Sequence, residues 1–389
     1  MPVDKDVDVL IVGAGFAGVV AAEQLATQHG LRSLIVEKRH HLGGNAYDEK
    51  DAAGVLLHRY GPHYFRSNSD KVVQYLSQFT EWLPTQYQVL SFTNDQYWQF
   101  PINLNTYEQL IGRPATEEEF QQYLNEKKVP IAEPANSEEV MISQVGWELY
   151  EKFFLGYTLK QWKRHPRELD ASVCGRIPVR TNRDNRYLKE DFQALPKEGY
   201  TRMFESMLAA AGDQVQVLLN TDYRDVLSGI HFKHMIYTGP LDEFFDHRFG
   251  ALPYRSLRFE NESFTPEQLQ LREPISRKKG FWQPAMQVNY PNDEDFTRIV
   301  EIKHATRQDC ENTTIVREYP DDYGPGKEPY YPVPHPESDE LRRRYVELTK
   351  QHPNLSFIGR LATYRYYNMD QIVAMALTES RKIGEALVS

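Results

Sequence analysis

Six residues near the N-terminus, Gly13-Ala14-Gly15-Phe16-Ala17-Gly18, have the types and spacing to hold a pyrophosphate. They follow an almost continuously apolar, β-branched run at 7–12, which reads as a buried parallel strand. Gly13 permits a tight turn, Gly15 lets backbone approach a phosphate, and Gly18 lets the next helix pack against the strand. That helix is predicted over 19–29, ending at Gly30 in a left-handed cap. Its N-terminus faces the phosphates. A second strand at 33–36 ends at Glu37, 24 residues after Gly13, where a carboxylate accepts hydrogen bonds from ribose hydroxyls. A lone GxGxxG is also compatible with a plain βαβ turn. Strand, glycines, helix, strand and acid together predict dinucleotide binding.

The residues after Glu37 are Lys38-Arg39-His40-His41-Leu42-Gly43-Gly44-Asn45-Ala46-Tyr47. The GGNA stretch resembles the extended FAD fingerprint of flavoproteins of the glutathione-reductase and amine-oxidase type. That resemblance implies FAD rather than NAD, with Arg39 near the adenosine and Lys38, Gly44 and Asn45 in the same binding segment.

The elements that must position these groups follow along the chain. A strand at 55–60 runs into Gly61-Pro62-His63-Tyr64-Phe65-Arg66, and 70–80 is helical in pattern. Residues 90–100 read as a β-hairpin with Asn94-Asp95 as its turn. From 106 to about 161 the chain is acidic and helix-like. Strands at 215–219, 234–237 and 355–360 are placed to return to the first sheet, and a helix at 370–387 closes it. The turn Thr238-Gly239-Pro240 is small enough for a cofactor to lie close. Short alternating strands at 254–319 suggest an antiparallel sheet, and five prolines from Pro325 to Pro336 suggest a stiff loop.

The expected fold class is α/β. A Rossmann-like FAD-binding domain with a parallel sheet is built from 1–80, 200–240 and 330–389. An inserted α-helical domain covers 103–165. An antiparallel β-sheet domain carrying substrate covers 81–102, 166–199 and 241–329, with a mobile loop at 174–187.

Composition excludes other classes. The 389 residues carry 45 Lys plus Arg against 55 Asp plus Glu, a net charge of −10, which argues against nucleic acid or an anionic membrane as the main partner. Two cysteines, Cys174 and Cys310, are too few for a disulfide framework and match no zinc spacing. No basic segment precedes an apolar core at the N-terminus and no run spans a bilayer, so the expectation is a cytoplasmic protein without membrane insertion. Three triplets of the DxD type occur, Asp293-Glu294-Asp295, Asp4-Lys5-Asp6 and Asp6-Val7-Asp8, which in so acidic a chain are weak evidence for a metal-dependent glycosyltransferase. The 24 tyrosines suit sugar or nucleobase ligands, though most belong to core or rim.

Over essentially its whole length the chain resembles bacterial UDP-galactopyranose mutases. The resemblance rests on VGAGFAG, HLGGNAYD, YGPHYF, KFFLGYTLKQW, RIPVRTNRDNRY, GYTRMF, YTGPLDEFFD, LPYRSL, FTRIVEIKH, PYYPVP and GRLATYRYYNMDQ, in that order. It implies an isomerase that interconverts UDP-galactopyranose and UDP-galactofuranose. Catalysis is covalent, through N5 of reduced FAD, with no net redox change. An external flavin reductant, a homo-oligomer and a role in cell-surface polysaccharide synthesis are implied with it. Arg176 and Arg298 match the two arginines that hold the diphosphate, a task for which forked, planar donors are suited. Phe153, Phe154, Tyr157 and Trp162 match the uridine-binding segment, although for Phe153 and Phe154 core packing is an equal reading. Tyr187, Tyr331 and Tyr366 match tyrosines at the diphosphate or sugar. Tyr60, Gly61 and Arg360 fall at the flavin, Met369-Asp370-Gln371 brings a helix N-terminus toward it, and His63 and Arg66 join Arg176 and Arg298 as the implied catalytic residues.

Two positions depart from the family pattern. Arg66 stands where the family commonly has histidine, and among relatives arginine there accompanies acceptance of UDP-N-acetylgalactosamine, so the sugar stays open among galactose, N-acetylgalactosamine and another nucleotide-activated hexose or deoxysugar. Asn368 replaces a common aspartate, exchanging a carboxylate for an amide beside the sugar. A flavin oxidoreductase of amine-oxidase type is the alternative, since its first 50 residues would look the same.

Overall fold

The computed structural model describes residues 5–271, 280–333 and 335–389. The five strands expected in the first sheet pair side by side. The parallel sheet runs Val215–Leu218, Ser33–Val36, Val9–Val12, His234–Tyr237, Leu355–Phe357. Helix Phe16–His29 follows the first strand and ends at Gly30 with φ 65°, the left-handed cap its glycine predicts. It packs against the C-terminal helix Met369–Val388. The crossing of first strand and first helix is tight. A Cβ on Gly18 would overlap the carbonyl oxygen of Gly13, and Gly13 itself has φ 104°.

A seven-stranded sheet carries the other half of the molecule. Its order is Tyr331–Pro332, Tyr254–Phe264, Thr313–Asp322, Arg298–Val300, Gln287–Asn289, Val89–Thr93, Gln96–Phe100. The expectation of an antiparallel sheet needs one correction. Gln287–Asn289 pairs with Val89–Thr93 in parallel, because these strands come from distant segments and no hairpin fixes their direction. Tyr254–Phe264 is also long, at 11 residues. The hairpin turn is as expected, with Asn94 at φ 53° and Asp95 at φ 57°.

The elements within 103–165 are helical: Leu104–Ile111, Glu117–Lys127, Ser137–Tyr150 and Gly156–Trp162, with one π-helical turn at Glu151–Leu155. Thr116 and Glu119 form a capping box that starts the second of these. The proline-rich stretch differs from a uniform stiff loop. Pro332 closes an edge strand, and a helix not anticipated from sequence begins at Pro336 (Pro336–Thr349). Pro334 lies outside the described residues, as do Asp4 of the first acidic triplet and 272–279 of the expected substrate domain. No helix among the described residues is long and apolar enough to cross a membrane.

The tight crossing generates a prediction. Gly18→Val forces the first helix off the first strand and lowers unfolding stability in urea by about 1–3 kcal/mol. Unchanged stability would mean that the crossing is looser than described.

Candidate active site

Two cavities meet inside the fold. The first opens at the carboxyl ends of the parallel strands, as open α/β sheets dictate. Gly13, Gly15, Phe16, Glu37, Lys38, Arg39, Gly44 and Asn45 line it, joined by the Thr238-Gly239-Pro240 turn. Gly15 and Gly44 face each other so closely that a Cβ on Gly44 would lie 3.0 Å from the Gly15 Cα. Glu37 is buried, and its two oxygens accept the backbone N–H of Ala14 and of Arg39, each at 2.9 Å. Its carboxylate thereby ties the glycine turn to the segment that follows it. The Arg39 guanidinium donates to Asn45 Oδ1 at 3.0 Å, meets Glu328 at 2.5 Å and lies 4.5 Å from the Tyr60 ring centre. Burial pushes the Glu328 carboxyl up, but Arg39 outweighs it and holds the group below the usual range.

Some expected cofactor residues sit elsewhere. Gly18 lines neither cavity, because its task is helix packing. Tyr60 and Gly61 line the second cavity. Met369 reaches both cavities, but Asp370 and Gln371 reach neither. Asp370 accepts the Ser67 hydroxyl at 3.0 Å, and Gln371 Oε1 accepts the Asn368 N–H at 2.9 Å to cap the helix.

The second cavity gathers every expected substrate residue: Phe153, Phe154, Tyr157, Trp162, Arg176, Tyr187, Arg298, Tyr331, Tyr366 and Asn368, with His63, Arg66 and Arg360. Phe153 and Phe154 answer to both readings. They are buried and pack on Phe100 at 5.9 and 5.8 Å, yet they also form cavity wall. The π-helical turn presents them side by side, a deviation that recurs at functional sites.

Charge in this cavity is arginine. Arg298 pairs with buried Glu318 at 2.7 Å. Arg360 donates to the Tyr367 carbonyl at 2.7 Å and lies 4.8 Å from the Tyr366 ring and 5.7 Å from the Tyr331 ring, which stack 5.9 Å apart. Arg176 is exposed at the cavity mouth, with its Nε donating to the Val173 carbonyl at 3.2 Å and its NH1 reaching Tyr366 at 3.5 Å. Arg66 donates to Asn368 Oδ1 at 3.0 Å, so the two positions that depart from the family pattern touch. Burial drives the His63 imidazole down to about 3, leaving the ring neutral, with Nδ1 2.9 Å from the Gly61 carbonyl.

Asn45, His63, Arg360 and Met369 line both cavities. The loop over 174–187 is tied at its far end, where Arg183 meets Glu108 at 2.6 Å and Asn103 and Asn105 both donate to Asn185. Sequence reasoning missed Tyr87, Gln287, Asn289 and Tyr330 in the second cavity and Glu328 in the first. Gln287 and Asn289 flank Val288 on a three-residue strand, all three buried, so the two polar side chains share one face. Among the described residues no group of His, Cys, Asp or Glu is arranged to hold a metal. Asp8 of the DxD triplets is committed to Lys233 at 2.8 Å.

Comparison with known proteins decides the family. A family model described as UDP-galactopyranose mutase matches residues 152–366, more than half of the chain. The chain belongs to the UDP-galactopyranose mutase family. A second model, an NAD(P)-binding Rossmann-like domain, matches 11–79. A probable UDP-galactopyranose mutase of Klebsiella pneumoniae is 37% identical over 374 residues, covering 95% of this chain and 93% of that protein. A dTDP-fucopyranose mutase of Escherichia coli is 31% identical, covering 95% and 96%. A crystal structure of reduced UDP-galactopyranose mutase covers 97% of this chain and 93% of its own with a TM-score of 0.74 at 15% identity, a likeness of fold. The chain is therefore an enzyme, an isomerase of the mutase type.

The arginine cluster makes one titration measurable. Burial raises Tyr366, but Arg176, Arg360 and Arg66 together outweigh it and bring the phenol down from 10.0 to about 8. The ultraviolet difference between the protein and Tyr366→Phe is expected to show ionisation near pH 8. Arg176→Met removes one cation that favours phenolate and moves the transition up toward 10. A transition already near 10 would show that the cations do not reach the ring.

Proposed function

We propose that the enzyme interconverts UDP-galactopyranose and UDP-galactofuranose with FAD in its reduced form and no net redox change. The observation that carries this reading is the junction of the two cavities. A cleft with an aromatic wall and four arginines opens onto a dinucleotide site through a shared wall of four residues. The glycine cradle suits a pyrophosphate, since Gly13 sits tight against the Thr238 hydroxyl and Gly44 against Gly15, where only glycine lets the backbone come so close. FAD bound there in its reduced form supplies a nucleophile for the anomeric carbon.

The chain's own residues do the rest. Tyr157 and Trp162, with the faces of Phe153 and Phe154, hold the uracil. Arg176 and Arg298 hold the diphosphate before it departs, while it is free, and until it returns. Holding both fragments keeps the steps intramolecular, and closure over the cleft keeps water from the reacting sugar. Tyr187, Tyr331 and Tyr366 supply hydroxyls to diphosphate and sugar. Arg360, pinned by the Tyr367 carbonyl, and the N-terminus of the Met369–Val388 helix favour negative charge where the cavities meet. UDP-N-acetylgalactosamine is a second candidate because Arg66 adds a donor beside the sugar. The name of the Escherichia coli relative makes a deoxysugar nucleotide a third. The proposal includes an external reductant, a homo-oligomer and the division of the chain into an FAD domain, a helical insertion and a sheet domain.

The dithionite-reduced protein incubated with UDP-galactofuranose is expected to form UDP-galactopyranose, followed by chromatography, whereas the oxidised protein is inactive. Arg176→Ala and Arg298→Ala each lower kcat/KM by about 10²–10³-fold. Absence of conversion of any UDP-sugar by reduced protein would refute the proposal. Closure of 174–187 over the nucleotide belongs to the same reading. Hydrogen exchange in that segment slows on adding UDP to the reduced protein, and an unaltered rate would remove the closure step.

A further inference from the structure

Among the described residues no Asp or Glu lines the substrate cleft, but two of its four arginines are backed by a carboxylate from outside it. Glu318 stands behind Arg298 at 2.7 Å. Glu190, which lines a separate surface cavity, places Oε1 3.1 Å from Arg66 Nε. The Nε–H does not aim at that oxygen and has no aligned acceptor, so Glu190 acts on Arg66 mainly through charge. The amide oxygen of Asn368 fixes the other end of the guanidinium at 3.0 Å. Arg176 and Arg360 have no carboxylate within ion-pair distance among the described residues; their partners are carbonyls and a phenol. Four formal positive charges less two negative ones leave two, the charge of one diphosphate.

We infer that Glu190 is a specificity-determining residue that acts through Arg66, cancelling its charge so that the cleft selects an uncharged sugar on the nucleotide diphosphate. Arg66 lies where the sugar must sit, because its partner Asn368 immediately precedes Met369, one of the residues shared with the cofactor cavity. With its charge offset from behind and its direction set by Asn368, Arg66 serves as a hydrogen-bond donor to neutral oxygens. A sugar carboxylate set against Arg66 would meet a cation already offset from behind and would feel the Glu190 charge through the guanidinium. Glu190 is thus a positioning residue that touches neither ligand. The inference rests on the reading of the cleft as a nucleotide-sugar site.

The test compares UDP-galactose, UDP-galacturonate and UDP as probes of the reduced holoenzyme by calorimetry. The unaltered enzyme is expected to bind UDP-galacturonate at least about tenfold more weakly than UDP-galactose. Glu190→Gln narrows that ratio by about tenfold, whereas Glu190→Asp, which keeps the charge, retains it. Affinity for UDP alone stays within about twofold in all three. Equal binding of the two sugars by the unaltered enzyme, or an unchanged ratio in Glu190→Gln, overturns the inference. Conversion of UDP-galactose is assayed in the same samples. A shifted ratio without conversion upholds the selector and counts against the ring contraction instead.

Discussion

Asn45, His63, Arg360 and Met369 line both cavities, and this shared wall is the constraint the rest of the molecule serves. On the proposed mechanism, two large ligands touch at one point while each is gripped along its length elsewhere. The parallel sheet meets the first demand by ending its strands at the cofactor cavity. Leu355–Phe357 leads directly to Arg360, and Met369 opens the C-terminal helix that packs on the first one. The cofactor cradle and the substrate cleft are therefore braced by the same pair of helices. A shift of the first helix would move Arg360 and Met369 as well as the glycine turn.

Electrostatics divides the arginines by task. Arg298 and Glu318 form a pair whose carboxylate is fully buried, an arrangement that fixes geometry more than it adds stability. Losing one partner would strand the other charge, so position and charge are maintained together. Arg176 lacks such a partner and stands exposed at the mouth, which fits its proposed role of gripping and releasing a phosphate. Arg360 is held by backbone carbonyls and by the stacked faces of Tyr331 and Tyr366, which need no countercharge. The neutral His63 adds no further charge where the cavities join.

Much of this was legible in the sequence, because its signals are local. The glycine motif needs only neighbouring residues, the Asn94-Asp95 turn dictates its hairpin, and the apolar strand at Val9–Val12 announces burial on both faces. The residues of the second cavity were reached through family strings rather than through periodicity. Phe153 and Phe154 show why: core and cleft make the same demand on an aromatic side chain. What escaped was set by distant partners. Glu190 meets Arg66 and Glu328 meets Arg39 across 124 and 289 positions, and nothing near either glutamate distinguishes it from other surface acids. The parallel pairing of Gln287–Asn289 with Val89–Thr93 likewise depends on register between remote segments. Asp370 and Gln371 were drawn inward by their place at a helix start, but that position also needs a cap, and Gln371 provides it.

The central claim is that one nucleotide sugar spans the cleft with its diphosphate on Arg176 and Arg298 and its anomeric carbon at the shared wall. A crystal structure of the reduced holoenzyme soaked with UDP-galactose tests this directly. The account predicts phosphate oxygens within hydrogen-bond distance of both guanidiniums, uracil beside Tyr157, and the sugar between Arg66 and Arg360. A diphosphate bound away from Arg176 and Arg298, or a sugar pointing out of the cleft, would contradict it.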